Sequence, residues 1–190
     1  MHYTCCLFAK TWQAQTFRRG GKAKDSAVAI SVTMTDSAYQ QAILLLDKAT
    51  AIDSNYYRAY HNKMGFQMKL KQYDSALVTS NNLIRIRPAA PDIYFTCGVI
   101  YEKGQDTISS KKYFQKAQLL YDNILDTMSV TNRSHDILAM NRAIGRIMLG
   151  DEKEGNRQLQ QLVATTANAA IKEEAASYIN KNKRELLNIY

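Results

Sequence analysis

A period of 34 residues is the feature of this sequence that most restricts its fold. Ala42, Ala76 and Ser110 are separated by this step. Other positions keep it too: Ala49, Leu83 and Ala117; Leu46, Ser80 and Phe114; Tyr60 and Tyr94; and Met64 and Gly98. Within each period the apolar residues have helical spacing, so each repeat is predicted to be a helix A, a short turn, a helix B and a second short turn. The sequence therefore predicts stacked helical hairpins.

The composition supports a helical chain and excludes several classes of protein. The chain has 190 residues, of which 46% are hydrophobic, so it can form one domain or two small ones and is too apolar to be disordered. Two prolines and eight glycines are too few for a turn-rich β-sandwich or barrel. Three cysteines cannot form a complete disulfide framework, and no run of 18 apolar residues predicts a membrane span.

The repeats resemble the tetratricopeptide repeat (TPR). Its helix A carries aromatic–x–x–Leu–Gly–x–x–Tyr, and its helix B carries Ala–x–x–x–Phe–x–x–Ala followed by Pro. The third repeat matches helix A at Tyr94, Cys97 in the place of Leu, Gly98 and Tyr101. The second repeat matches at Tyr60, Tyr73, Ala76 and Pro88, with Lys63 and Met64 in the places of Leu and Gly.

This resemblance implies an all-α, right-handed α-solenoid of about four hairpins over residues 25–167. The hairpins are expected near residues 23–56, 57–90, 91–124 and 136–167. The first helix A, around Asp25–Met34, is rich in β-branched residues and could be taken for a strand, but Ile30 lies 34 residues before Met64, which favours a helix.

Two departures from the period are expected toward the C-terminus. Roughly eleven extra residues around Leu125–Asn132 are predicted to lengthen the third helix B and to add a loop. Asn168–Tyr190 has an apolar stripe and a charged face, which predicts one helix that caps the array.

The sequence contains no motif that indicates catalysis or metal binding. Phosphate-binding, dinucleotide-binding, zinc-protease and nucleophile-elbow patterns are missing, and the insertion offers no nucleophile–base pair. His2, His61 and His135 are isolated, and Cys5 and Cys6 are adjacent rather than spaced as C-x-x-C. We therefore predict a protein that is not an enzyme and needs no cofactor or metal.

The aromatic residues and Cys97 are predicted to fill the interior. Cys97 stands where the repeat needs a buried apolar side chain. Six tyrosines fall at or beside packing positions: Tyr39, Tyr60, Tyr73, Tyr94, Tyr101 and Tyr113. This placement favours packing between helices over a platform on which nucleic-acid bases stack.

The resemblance also implies a function, since TPR arrays bind a segment of a partner protein in a concave face lined by the A helices. The predicted peptide-binding residues are Arg58, His61, Met68, Lys69, Asp92, Phe95, Val99 and Glu102. The same face is expected to include Gly65, Lys103, Ile137, Met140, Ile144 and Ile147, and the C-terminal helix is expected to cover its last part. Only Asn62 matches the residues with which some TPR proteins clamp a chaperone's C-terminal carboxylate, so that partner is disfavoured.

The net charge of +8 is concentrated at the N-terminus. Residues 1–24 contain five basic residues and no acid, which predicts a loose, disordered arm and the alternative function of binding nucleic acid or an anionic surface. Only +3 remains for the repeats, which disfavours nucleic acid as their partner. The apolar run Tyr3–Ala9 precedes Lys10, which is the reverse of the order in a secretory signal. A signal peptide truncated by a misassigned start codon is the alternative interpretation of this segment. The compartment stays open between the cytoplasm and an extracytoplasmic location.

Overall fold

The computed structural model describes residues 35–132 and 134–190, and within these ranges the chain forms nine α-helices and no strand. The helices are α1 (Asp36–Ile52), α2 (Tyr57–Lys69), α3 (Tyr73–Ile86), α4 (Pro91–Lys103), α5 (Thr107–Leu125), α6 (His135–Met148), α7 (Glu152–Thr165), α8 (Ala169–Tyr178) and α9 (Lys183–Leu187). The predicted all-α class is confirmed. The N-terminal arm and the first helix A, predicted at residues 1–24 and 25–34, lie outside the described residues.

The described chain divides into two compact units, residues 35–89 and 90–190. In the N-terminal unit, α2 packs against both α1 and α3. Its core contains small and aliphatic side chains with partly buried aromatic rings around them: Ala42, Leu46, Ala49, Ala59, Leu45, Tyr56 and Phe66. Thr35 begins α1, because its hydroxyl accepts a hydrogen bond from the Ala38 N–H at 3.2 Å.

In the C-terminal unit, α4 and α5 form the most intimate hairpin. A Cβ on Gly98 would lie 2.7 Å from the ring of Phe114, so the ring occupies the space that any larger residue would need. Asp106 begins α5 by accepting a hydrogen bond from the Ser109 N–H at 2.9 Å. Helix α5 then runs for 19 residues, and a loop follows before α6. The predicted insertion is therefore accommodated as the sequence indicates, by a longer helix and a loop.

The turn from helix A to helix B has the same backbone geometry in three repeats. Lys71, Gln105 and Gly150 all have positive φ, at 56°, 64° and 93°. The N–H of the next residue then bonds back to the carbonyl five residues earlier, over 2.8 to 2.9 Å in each case. This is the left-handed helix end that glycine favours, although only the third of these turns has glycine at the position with positive φ.

The prediction of a single helix over Asn168–Tyr190 is wrong, because the chain leaves the helix between α8 and α9. Asn180 has a φ of 63° and donates its N–H to Oδ1 of Asn156 at 2.6 Å. Asn182 then starts α9 with a reciprocal cap, in which its side chain accepts from the Glu185 N–H and the Glu185 carboxylate accepts from its own N–H. Hydrogen bonds of Asn180 and Asn182 thus interrupt the helix over residues 179–182, about one helical turn.

Candidate functional site

Helix α2 carries one of the two sets of predicted binding residues on a single stripe. Residues 58, 61, 65, 68 and 69 recur at helical spacing, while Ala59, Asn62, Met64 and Gln67 form the buried side of the helix. Arg58, Gly65 and Lys69 are exposed, and His61 and Met68 are half-buried. The structure therefore brings Arg58, His61, Met68 and Lys69 together on one accessible surface, which we call the α2 stripe (residues 58, 61, 65, 68 and 69).

The middle of the α2 stripe is open. A Cβ placed on Gly65 would meet no described atom within 4 Å. A β-carbon at position 65 therefore meets no steric obstacle in the described part of the fold.

The α2 stripe is positively charged. Helix α2 contains three basic residues and no acid, and of the three only Lys63 lies off the stripe, where it pairs with Asp47 at 2.5 Å. At the start of the stripe, the Arg87 guanidinium lies 4.2 Å from the ring centre of Tyr57. That ring lies 5.8 Å from the ring of His61. Cationic and aromatic groups thus extend the stripe to the end of α3.

Helix α4 carries the second set of predicted residues, and here the structure places them under cover. Phe95 and Val99 are only 6% and 1% exposed, and Asp92 and Glu102 are half-buried. The ring of Phe95 packs edge-on against Phe114 and contacts Tyr190, with both ring centres 5.3 Å away. The predicted groove is therefore not open along α4.

The cover is the C-terminal segment, residues 182–190, which lies within the same compact unit. Nζ of Lys183 lies 2.8 Å from Oε2 of Glu102, an oxygen that also accepts the Ser110 hydroxyl hydrogen at 2.7 Å. Leu186 is fully buried, and α9 packs against α6, where Met140, Ile144 and Ile147 are also buried. The C-terminal segment therefore lies against α4 and α6, which carry the later residues of the predicted face.

The pKa values of Glu102 and Tyr190 are both shifted where the C-terminal segment meets α4. Burial alone would raise the pKa of Glu102, but hydrogen bonds from Lys183 and Ser110 and the charge of Lys183 outweigh it and leave that pKa below its ordinary value. Burial raises the pKa of Tyr190 well above its usual range, with smaller contributions from Tyr178 and Glu174. Glu102 is therefore a carboxylate, and Tyr190 a neutral phenol, across the ordinary pH range.

Other sequence predictions concern packing rather than binding. Cys97 is fully buried, as its place in the repeat predicts. Tyr113 stacks on Tyr101 at 5.1 Å and lies 6.3 Å from Tyr94, and burial raises the pKa of both Tyr94 and Tyr113. These rings pack on one another between α4 and α5, which agrees with a packing role.

Neither a metal cluster nor a membrane helix is found in the described part of the chain. Residues 35–132 and 134–190 bring together no group of three His, Cys, Asp or Glu side chains suited to a metal ion. None of the helices in these ranges is long and apolar enough to cross a membrane.

A charged cluster between α5 and α6 was not predicted. Arg142 and Arg146 lie 3.5 and 3.9 Å from Oδ1 of Asp122. Because of the insertion, equivalent positions of the third and fourth repeats are 45 residues apart, as the helix caps Asp106 and Asp151 are. Arg142 and Arg146 are therefore equivalent to Cys97 and Tyr101, so arginine stands at two packing positions of the repeat. Basic residues at two expected apolar positions were the available signal.

Solved structures with the same fold are found, although no protein-family model and no curated protein sequence matches this chain. The type IV pilus biogenesis factor PilW is 17% identical with a TM-score of 0.55, over 81% of this chain and 66% of PilW. A double mutant of MamA RS-1 is 19% identical with a TM-score of 0.52, over 83% and 81% of the two chains. YrrB, described as a TPR protein with an unusual peptide-binding site, is 16% identical with a TM-score of 0.50, over 96% and 88%. At these identities the likeness concerns the fold, and the predicted solenoid of helical repeats is confirmed.

Proposed function

Because this chain has the fold of a TPR-type helical repeat protein, we propose that it is a non-catalytic interaction module that binds a segment of a partner protein through the α2 stripe. The fold supports binding rather than catalysis, since a stack of helical hairpins offers an extended surface. The sequence supports the same view, because it lacks the motifs of nucleophilic, phosphate-transfer and metal-dependent enzymes.

The observation that carries this proposal is the accessibility of the α2 stripe. Its positions 58, 65 and 69 are exposed, and nothing described fills the space above Gly65. The half-buried Met68 adds an apolar contact beside the charges. A surface that mixes charge with a soft apolar side chain is typical of peptide recognition.

The charge of the α2 stripe supports a partner segment that carries Asp or Glu. Helix α2 has two basic residues on the stripe and no acid of its own, so it adds no repulsion against an incoming carboxylate. Like-charged segments are disfavoured for the same reason. The fold of YrrB, which has a peptide-binding site, is consistent with a peptide as the ligand.

Gly65 provides the sharpest test, because a large side chain there blocks the stripe without entering the described core. We expect Gly65→Trp to reduce partner recovery in a pull-down at least tenfold. Gly65→Ala should leave recovery unchanged and stabilise the helix by up to about 1 kcal/mol. Val78→Trp, on an exposed position of α3, is the matched control for an added indole. Equal recovery with Gly65→Trp and Val78→Trp would contradict the assignment of the stripe.

Binding of an anionic surface or nucleic acid through residues 1–24 is the competing function, and it is supported by the charge of that segment. The segment lies outside the described residues, so its sequence alone carries this alternative. A titration of DNA and RNA binding against salt, with and without residues 1–24, separates the two functions, because phosphate contacts weaken steeply as salt increases. Loss of binding at low salt on removal of the segment would favour the alternative.

A further inference from the structure

The C-terminal segment shows what the covered surface of α4 recognises. We propose that the surface of α4 and α6 beneath residues 182–190 is a second peptide-binding site, closed by the chain's own C-terminal segment. Its ligand is a partner segment with a basic residue, a leucine three positions later and an aromatic residue four positions after that. The inference rests on the proposed function only in assigning peptide binding to A helices, and it concerns α4 rather than the α2 stripe.

Three contacts of the segment define the ligand. Lys183 pairs with Glu102 at 2.8 Å, which selects a cation. Leu186 is fully buried, which selects an aliphatic side chain. Tyr190 lies against Phe95 with ring centres 5.3 Å apart and planes at 60°, which selects an aromatic ring.

The receiving side is a built surface that does not depend on the segment for its position. Phe95 is held from behind by Phe114, which fills the space beside Gly98. The Glu102 carboxylate is oriented by the Ser110 hydroxyl of α5 at 2.7 Å. The α4–α5 hairpin itself therefore holds the carboxylate of Glu102 and the ring of Phe95 in place. The two residues are seven positions apart on α4, which fixes the distance between them.

The segment that covers this surface is weakly tied to the rest of the fold. Helix α9 has five residues, too few to be stable without tertiary contacts. Residues 179–182 join it to α8 and contain Asn180 with its positive φ. Lys183 is one-third exposed in its ion pair. These features are those of an element that leaves its site while the helical hairpins stay folded.

An occupant on the same chain competes with any partner for the same surface. The apparent affinity for a partner is the intrinsic affinity reduced by the fraction of molecules in which the segment is displaced. Weakening the segment should therefore strengthen binding in trans. A segment that only completes the fold predicts the opposite, because weakening it would loosen the receiving surface and create no affinity.

The test uses the full chain and a labelled peptide of residues 182–190, Asn-Lys-Arg-Glu-Leu-Leu-Asn-Ile-Tyr, followed by fluorescence anisotropy. The double variant Lys183→Glu, Tyr190→Ala should bind this peptide at least tenfold more tightly than the unaltered chain. A peptide carrying the same two changes should bind neither protein. Adding Glu102→Lys to the double variant should abolish the preference for the unaltered peptide.

Two outcomes would overturn the proposal. One is a double variant with unchanged helical content by circular dichroism that binds the peptide no more tightly than the unaltered chain. If the double variant loses helicity, Lys183→Ala alone serves instead, with an expected gain of at least threefold. The other is an unaltered chain that forms a concentration-dependent dimer dissociated by the peptide, since the occupant would then be the segment of a second copy. Either failure leaves the Gly65 test of the α2 stripe unaffected.

Discussion

Helices α2 and α4 occupy the same place in successive repeats but pack against their partners in opposite ways. In the α2–α3 hairpin the large residue, Met64, is on helix A and the small one, Ser80, is on helix B. In the α4–α5 hairpin Gly98 is on helix A and Phe114 on helix B. All four side chains or positions are buried. The comparison teaches that the repeat preserves the summed volume of this pair rather than the identity of either residue.

The two helices also differ on the face that the sequence assigns to binding. The α2 stripe carries charge and has exposed positions, whereas the corresponding residues of α4 include the buried Phe95 and Val99, and Phe95 contacts Tyr190 of the C-terminal segment. Burying an aromatic or aliphatic side chain of this size contributes about 1.5–3 kcal/mol. The apolar side chains of Phe95 and Val99 thus favour a cover, whereas α2 has His61 and Gly65 at the equivalent positions.

The largest effect should come from giving the α4–α5 hairpin the small residue of the α2–α3 hairpin. We expect Phe114→Ser to lower the free energy of unfolding by about 3–5 kcal/mol, because it leaves a cavity beside Gly98 and buries a hydroxyl. Ser80→Ala, at the equivalent position of α3, should cost about 1 kcal/mol or less. Urea denaturation measures both. A loss below about 1 kcal/mol for Phe114→Ser would refute the packing difference.

Exchanging both residues tests whether volume is what the pair preserves. Gly98→Met alone should cost about 3 kcal/mol, since its Cβ would lie 2.7 Å from the ring of Phe114. The double variant Gly98→Met, Phe114→Ser reproduces the α2–α3 arrangement. Its loss should be smaller than the sum of the single losses by at least about 1 kcal/mol. Additive losses in this double-mutant cycle would mean that the two positions do not compensate each other.

A smaller effect should separate the turns of the hairpins. Lys71 and Gln105 have positive φ without being glycine, and Gly150 has the same geometry in the α6–α7 hairpin. We expect Gly150→Lys to cost about 1 kcal/mol, and Lys71→Gly or Gln105→Gly to gain about 0.5 kcal/mol. Thermal unfolding of the three variants checks this. Gly65→Ala, within a helix, is the control that should be stabilised by losing a glycine.

The smallest effect should be the pH dependence of the cover on α4, which the α2 stripe lacks. The pKa of Glu102 is lowered in the folded chain, so its pair with Lys183 is fully stabilising above the ordinary value of 4.5 and is lost as pH falls below it. Hydrogen exchange of residues 183–190 should therefore accelerate relative to α4 as the pH falls below 4.5. The variant Glu102→Gln should exchange faster at neutral pH and show no such step. An identical pH profile for both proteins would remove Glu102 from the contact.

The sequence was sufficient for the fold because the 34-residue period constrains many positions at once. It predicted the hairpins, the buried Cys97 and the lengthened α5. It did not predict the break at Asn180, because the apolar stripe continues across it and only the pattern Asn182–x–x–Glu185 signals a new helix start. Such a capping box is a local signal that a long amphipathic pattern conceals.

The candidate site was predicted only in part, for a different reason. The period places Arg58 and Phe95 on equivalent faces, but it does not indicate which face the end of the chain will cover. The contacts of Lys183 with Glu102 and of Tyr190 with Phe95 join residues more than 80 positions apart. Contacts at such separation have no periodic signature, and they decide which half of the predicted surface is accessible.

The complete burial of Cys97 has a practical consequence. Its thiol lies in α4, the helix that holds Gly98 beside Phe114, and a buried thiol does not react with alkylating reagents until its surroundings open. The rate of Cys97 alkylation therefore reports how often this hairpin opens. Mass spectrometry identifies the alkylated cysteine and measures that rate. The opening rate of the α4–α5 hairpin can therefore be measured on the unlabelled protein.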